Sequence, residues 1–129
     1  MHSNTHCGNA LAVAAALGVF NIFETQDVLA QCNHLGDYMK TQLESIQEQS
    51  GRLKNIRQLG SMIAADLILD AEQEKERIGY QIYREASQRG ALLRPLGNTL
   101  YWLPPINTEK EVIDELKDIT LDSMQAVLS

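Results

Sequence analysis

Apolar residues recur every three or four positions along three stretches of this chain, and that spacing predicts helices with one buried face. The first stretch covers residues 27–49 and ends at Ser50-Gly51. The second covers residues 72–89 and presents Ile78, Ile82 and Ala86. The third follows Thr108, which lies three residues before Glu111 in capping-box spacing. We expect the buried residues of the last helix to be Val112, Leu116, Ile119 and Met124.

Two shorter stretches have the alternation of strands. Residues 55–59 and 62–69 flank Gly60-Ser61, and Ile63, Ala65, Leu67 and Leu69 share one face of the second. Residues 91–105 contain two further apolar runs. The order predicts an α+β fold, a small antiparallel sheet of three or four strands covered by helices on one face. We expect residues 1–129 to belong to one domain, in which residues 27–129 form this small α+β unit.

The helix predicted over residues 10–23 has no polar face. A helix that is hydrophobic all round is normally enclosed by protein. Two interpretations stay open. Either it is the central core helix of this domain, or it is a linking helix that packs on protein outside this chain.

Gly97-Asn98 suits a tight two-residue hairpin turn. That turn would place Leu96 opposite Thr99 and Arg94 opposite Tyr101. A guanidinium in apolar surroundings needs an anionic partner, and the hairpin has no acid. A ligand carboxylate would provide one. The other interpretation is an internal ion pair, with Asp66 or Glu24.

Composition and charge narrow the class of protein. The 129 residues carry a net charge of −6, which argues against nucleic-acid partners and anionic membrane surfaces. No apolar run reaches the roughly 20 residues of a membrane span. Two cysteines form no disulfide framework, so we expect a cytoplasmic location. The spacing of the histidines and cysteines does not match a zinc site, and we expect no metal.

Two motifs in this order resemble class III aminotransferases, which are pyridoxal-phosphate-dependent enzymes of fold type I. The first has the form H-x-x-T-x-x-G-N-P-L-A and is matched by His2, Thr5, Gly8, Asn9, Leu11 and Ala12, with Ala10 in place of proline. The second has the form G-x-x-x-R-P-x-G…Y-x-x-P-P and is matched by Gly90, Arg94, Pro95, Gly97, Tyr101, Pro104 and Pro105. The resemblance covers nearly the whole chain.

The resemblance implies roles for three residues. Thr5 matches a threonine that contacts the phosphate of pyridoxal 5'-phosphate (PLP) across a homodimer interface. Arg94 matches an arginine that binds a substrate carboxylate, a task suited to its planar fork. Tyr101 would line the same pocket.

The family's Schiff-base lysine and the rest of its cofactor site lie upstream of the matched region. The resemblance therefore implies the C-terminal domain of an aminotransferase, with residues 1–9 as part of the cofactor-phosphate loop and a large catalytic domain missing. We expect no transamination by this chain alone. Members acting on ω-amino acids or acetylornithine stay open, as does a self-sufficient carboxylate-binding regulatory module.

Overall fold

The structure is a computed structural model that describes residues 7–129. Four helices and three strands follow one another as α1 (Ala10–Thr25), α2 (Val28–Ser50), β1 (Leu53–Leu59), β2 (Met62–Leu67), α3 (Ile78–Gln88), β3 (Thr99–Trp102) and α4 (Lys110–Leu128). The strands form one antiparallel sheet in the order β1-β2-β3. The predicted α+β fold is confirmed, with three strands.

Helix α2 lies along the sheet and its ends follow from local chemistry. Asp27 accepts a hydrogen bond from the Ala30 amide at 3.2 Å and caps the start. Gly51 ends the helix with φ +62°, a conformation that glycine adopts without steric cost. The predicted stripe is confirmed: Val28, Leu35, Met39, Leu43 and Ile46 are buried, and Cys32 is half-buried.

The core lies between one face of the sheet and the helices. Ile63, Ala65 and Leu67 of β2 are buried, while Ala64 and Asp66 on the other face are half-exposed. α2 packs on β1 and β2, and α4 packs on α2 and α3. All three predicted core residues of α3 are buried, namely Ile78, Ile82 and Ala86.

Helix α3 begins at Ile78, so the prediction of a helix from residue 72 is wrong at its start. The Asp70 carboxylate accepts hydrogen bonds from the amides of Glu72 and Gln73 at 3.0 and 2.9 Å. These bonds support a short 3₁₀ turn, Gln73–Lys75. Arg77, with φ +52°, separates that turn from α3. A local side-chain bond to the backbone therefore replaces the first helical turns.

The predicted cap of α4 is also wrong by one residue. Glu109 is the N-cap position, and the Thr108 hydroxyl donates to the Pro105 carbonyl at 2.7 Å. The buried face of the helix also differs from the prediction: Val112, expected in the core, is 52% exposed, and Ile113 is fully buried. Met124 is buried as predicted, whereas Leu116 and Ile119 are half-buried.

Helix α1 has no buried residue, so it is not the core helix of this domain. Its large side chains are open to solvent, with Leu11 at 83% and Phe20 at 64% exposure. Such a continuous exposed apolar surface is larger than the scattered apolar residues of an ordinary protein surface.

Among residues 7–129 no single helix is long and apolar enough to cross a membrane. α1 and α2 satisfy length and composition only as a pair, which is bent by 77°.

Candidate functional site

The turn at Gly97-Asn98 carries the candidate site. The amide of Leu96 donates to the Thr99 carbonyl at 2.9 Å, and the amide of Thr99 donates back at 3.0 Å. Gly97, at the first central position, has φ +60°, as a type II′ turn requires. The predicted two-residue turn and the Leu96–Thr99 pair are confirmed.

The predicted hairpin does not continue before this turn. Ala91 and Leu93 are drawn into the core, and Pro95 fixes φ near −65°, away from ordinary strand values. Tyr101 pairs with Ala64 of β2 instead of facing Arg94 across a hairpin. The predicted Arg94–Tyr101 cross-strand pair is therefore wrong, and the sheet has the smaller of the two predicted strand numbers, three.

The structure nevertheless brings Arg94 and Tyr101 to one place. Both line a groove of about 310 Å³, here called the Arg94 groove, together with Leu92, Trp102, Leu103 and Pro104. Arg94 also lies at the edge of a larger cleft of about 670 Å³, whose other walls include Arg77, Tyr80 and Tyr83. Apolar walls with a few polar groups are typical of small-molecule sites.

The Arg94 side chain is exposed rather than buried, so the premise that folding alone demands an anionic partner is wrong. The internal ion pair with Asp66 is also not formed, because Asp66 binds Arg57 at 2.9 Å. Among the described residues Arg94 takes part in none of the ion pairs. Its guanidinium is thus available to an acid that arrives from solvent.

Asp66 connects the turn to the sheet. Its carboxylate accepts hydrogen bonds from Arg57 at 2.9 Å, Thr99 at 2.7 Å and Asn55 at 3.1 Å. The bond from Arg57 contributes most, and together these donors lower the pKa of Asp66 from 3.8 to about 2. Charge-assisted bonds of this kind stabilise the ionised form.

The lowered pKa of Asp66 predicts a pH-dependent contribution to stability. Because the folded pKa lies below the unfolded one, the contribution is present above about pH 4 and is lost as the pH falls towards 2. Arg57 is half-exposed, and solvent screening limits the contribution to about 1 kcal/mol. We expect Asp66→Asn to lower the free energy of unfolding by that amount at pH 6 and by almost nothing at pH 2, measured by urea denaturation. An equal loss at both pH values would contradict the assignment.

The described residues do not by themselves fit PLP. Thr5, the predicted phosphate contact, lies outside residues 7–129, so its placement is not tested. None of the five lysines lines the Arg94 groove or the larger cleft. Lys75 and Lys117 pair with Glu72 and Asp118, and Lys110 lies over the Tyr38 ring at 5.0 Å. No lysine stands where a Schiff base could form beside Arg94.

Metal-ligating side chains and the tryptophan ring are two further features of the described residues. Residues 7–129 contain no cluster of three metal-ligating side chains; His2 and His6 lie outside that range. Trp102 is 2% exposed and belongs to the core. Its indole N–H has no acceptor among the described residues, so the ring contributes through apolar burial.

Sequence reasoning missed two residues that shape the site. Asp66 was considered only as a partner of Arg94, whereas it binds Thr99 beside the turn. Gly79 lies so close to the turn that an added Cβ would stand 2.1 Å from the Gly97 carbonyl oxygen. The polar position of Asp66 in an apolar strand was a usable signal, but nothing in the sequence marked Gly79.

Comparison with known proteins places this geometry in a family. The sequence model of "Aminotransferase class-III" matches residues 1–126. Adenosylmethionine-8-amino-7-oxononanoate aminotransferase of Helicobacter pylori is 34% identical over 117 residues, which cover 87% of this chain and 26% of that protein. 4-Aminobutyrate aminotransferase of Escherichia coli is also 34% identical, over 81% of this chain and 26% of its own length.

The likeness extends to solved structures. An amine transaminase from an uncultivated Pseudomonas species, crystallised in the PLP-bound form, superposes with a TM-score of 0.76 at 28% identity. The match covers 98% of this chain and 29% of that one. The chain thus spans about a quarter of the length of the curated relatives named above. Since the family match extends over nearly every residue, this chain belongs to the class III aminotransferases.

Proposed function

We propose that this chain provides the substrate-carboxylate contact of a PLP-dependent aminotransferase that forms 7,8-diaminononanoate in biotin synthesis. The reaction would transfer an amino group from an amino donor, which would become the corresponding oxo compound, to the ketone carbon of 8-amino-7-oxononanoate. Support comes from several relatives named for that enzyme at 30–34% identity. The Arg94-Pro95-Leu96-Gly97 form, within the family, also most resembles that enzyme.

The main support for the proposal is that Arg94 is exposed and unpaired among the described residues. Its guanidinium is exposed, takes part in no ion pair among the described residues, and shares the Arg94 groove with Tyr101. Arginine binds carboxylates through two parallel N–H···O bonds. In the proposed complex Arg94 holds the carboxylate, and the phenol and apolar walls of the groove contact the atoms next to it.

The exposed α1 supports a second part of the proposal. Leu11, Leu17 and Phe20 are each more than 60% exposed on one helix, and covering such a surface is favourable. We propose that the large catalytic domain of a cytoplasmic homodimer covers it, and that Thr5 contacts the PLP phosphate there. The lysine that binds PLP would come from that domain.

One alternative within the family has a specific observation in its favour. The 4-aminobutyrate enzyme is as similar to this chain as the biotin-pathway enzyme, at 34% identity. The substrate in that enzyme's name, 4-aminobutyrate, is an ω-amino acid and also carries a carboxylate that Arg94 would bind. The same argument applies to enzymes that act on acetylornithine, because that substrate also carries a carboxylate.

A self-sufficient regulatory module is disfavoured, because a domain that folds alone would bury the apolar surface of α1.

Exchange of segments between enzymes tests the proposal. This chain replaces the matching segment of the Helicobacter pylori enzyme and, separately, that of the Escherichia coli enzyme. We expect the first chimera to bind PLP, seen by absorbance, and to retain kcat/KM within about 100-fold of its parent. We expect the second chimera to lose more of its activity on 4-aminobutyrate.

Three other outcomes of the segment exchange would contradict parts of the proposal. Better retention in the 4-aminobutyrate host would support the ω-amino-acid alternative and contradict the biotin-pathway assignment. Loss of activity in both hosts would contradict both. Transamination by the unfused chain would show that the large domain is not needed.

A further inference from the structure

We propose that Asp66 is a positioning residue for substrate binding, which acts by holding Thr99 and thereby the turn that presents Arg94. This inference rests on the proposed function, because it needs Arg94 to bind a carboxylate. It concerns a residue that touches neither Arg94 nor the substrate.

Asp66 is directly connected to the turn. The Thr99 hydroxyl donates to Asp66 Oδ1 at 2.7 Å, and the two residues are also partners in the β2–β3 register. The amide of Leu67 donates to the Asn98 carbonyl at 2.9 Å. Thr99 in turn makes both backbone bonds with Leu96. The turn is therefore tied to the end of β2 through side chain and backbone together.

Asp66 is itself held in place by donors from β1. A β-bulge between Lys54 and Arg57 disturbs the β1–β2 register, and Asn55 within it has φ +52°. Asn55 and Arg57 both reach the Asp66 carboxylate, at Oδ2 and Oδ1 respectively. Bulges commonly redirect side chains near functional sites. This one supplies two donors that leave the carboxylate little freedom to turn away from Thr99.

The turn is also in close contact with helix α3. Gly79 of α3 approaches the Gly97 carbonyl so closely that no side chain fits between them. The Thr99–Asp66 bond and the Gly79 contact therefore restrain the two halves of one turn. Arg94 lies just before that turn on exposed chain, and restraint of the turn limits where its guanidinium points. Pre-positioned groups bind more tightly because less freedom is lost on binding.

Single-hydroxyl variants in the Helicobacter pylori chimera test the inference. Thr99→Val removes the donor to Asp66 and keeps the shape of the side chain. We expect KM for 8-amino-7-oxononanoate to rise about tenfold while kcat changes less than about twofold. Thr99→Ser, which keeps the hydroxyl, should restore KM. The methyl ester, which has no carboxylate for Arg94, should be used equally by all variants.

Thr108→Val is the matched control. Its hydroxyl makes a bond of the same 2.7 Å length, to Pro105, and it lines neither the groove nor the larger cleft beside Arg94. It should lower stability as much as Thr99→Val without changing KM. If Thr99→Val also leaves KM unchanged, or raises it equally for the ester, the positioning role is overturned. If Arg94→Ala leaves use of the acid unchanged, the proposed function fails instead.

Discussion

Replacing Arg94 by alanine in the chimeric enzyme should weaken catalysis on 8-amino-7-oxononanoate by about 2–5 kcal/mol of transition-state binding. The side chain is the unpaired cation of the Arg94 groove among the described residues. Its removal leaves the substrate carboxylate without a charged donor in a groove with largely apolar walls. Steady-state kcat/KM with the acid and with its methyl ester measures the loss.

The controls separate charge from geometry. Arg94→Lys keeps the charge but loses the planar fork, so it should recover only part of kcat/KM. The chimera with Arg94 and its Arg94→Ala variant should use the methyl ester with equal kcat/KM. Unchanged catalytic efficiency with the acid in Arg94→Ala would exclude the carboxylate contact. An equal loss with acid and ester would indicate general damage to the site.

Gly36→Ala should destabilise this chain by about 3 kcal/mol or more, because it forces apart two closely packed elements. A Cβ at Gly36 would stand 1.9 Å from the Gly60 carbonyl oxygen and 2.5 Å from Gln58 Nε2. Gly60 lies in the tight turn between β1 and β2, and its backbone cannot move aside without disturbing the Leu59–Met62 pair that flanks the turn. Urea denaturation followed by circular dichroism measures the loss.

Gly18→Ala is the matched control for that substitution. Gly18 also lies within a helix, but a Cβ there would meet nothing within 4 Å. Alanine stabilises a helix by about 0.5–1 kcal/mol relative to glycine, so the Gly18 variant should gain helix content. Equal stability of Gly36→Ala and the unsubstituted chain would contradict the close approach of α2 to the β1–β2 turn.

Periodicity predicted α2 well because the pattern and its end signals agree. The apolar stripe, the N-cap Asp27 and the terminating Gly51 all lie in one continuous stretch. α3 was predicted too long, because the acidic residues between positions 70 and 76 are also typical of a helix start. Only the bonds from backbone amides to Asp70 and the positive φ of Arg77 show that the chain turns there first.

Two of the three predicted site residues lie together in the structure, but the geometry predicted for them was wrong. Motif resemblance singled out Arg94 and Tyr101, and both line the Arg94 groove. The pairing between them was wrong, because residues 91–95 form no strand, and Tyr101 pairs only with Ala64 of β2, which is distant in sequence. Local turn rules can place Leu96 against Thr99, but they say nothing about which sheet edge the following strand joins.

The sequence by itself determined the α+β class, the buried stripe of α2, the turn at Gly97-Asn98 and the family, since each depends on residues close together in the chain or on a motif. Tertiary structure alone decided that α1 lies exposed, that Asp66 binds Arg57 and Thr99, and that Gly79 packs against Gly97. These features arise from contacts between distant segments. Their partners are chosen by how whole elements pack, and a local pattern of residues does not contain that information.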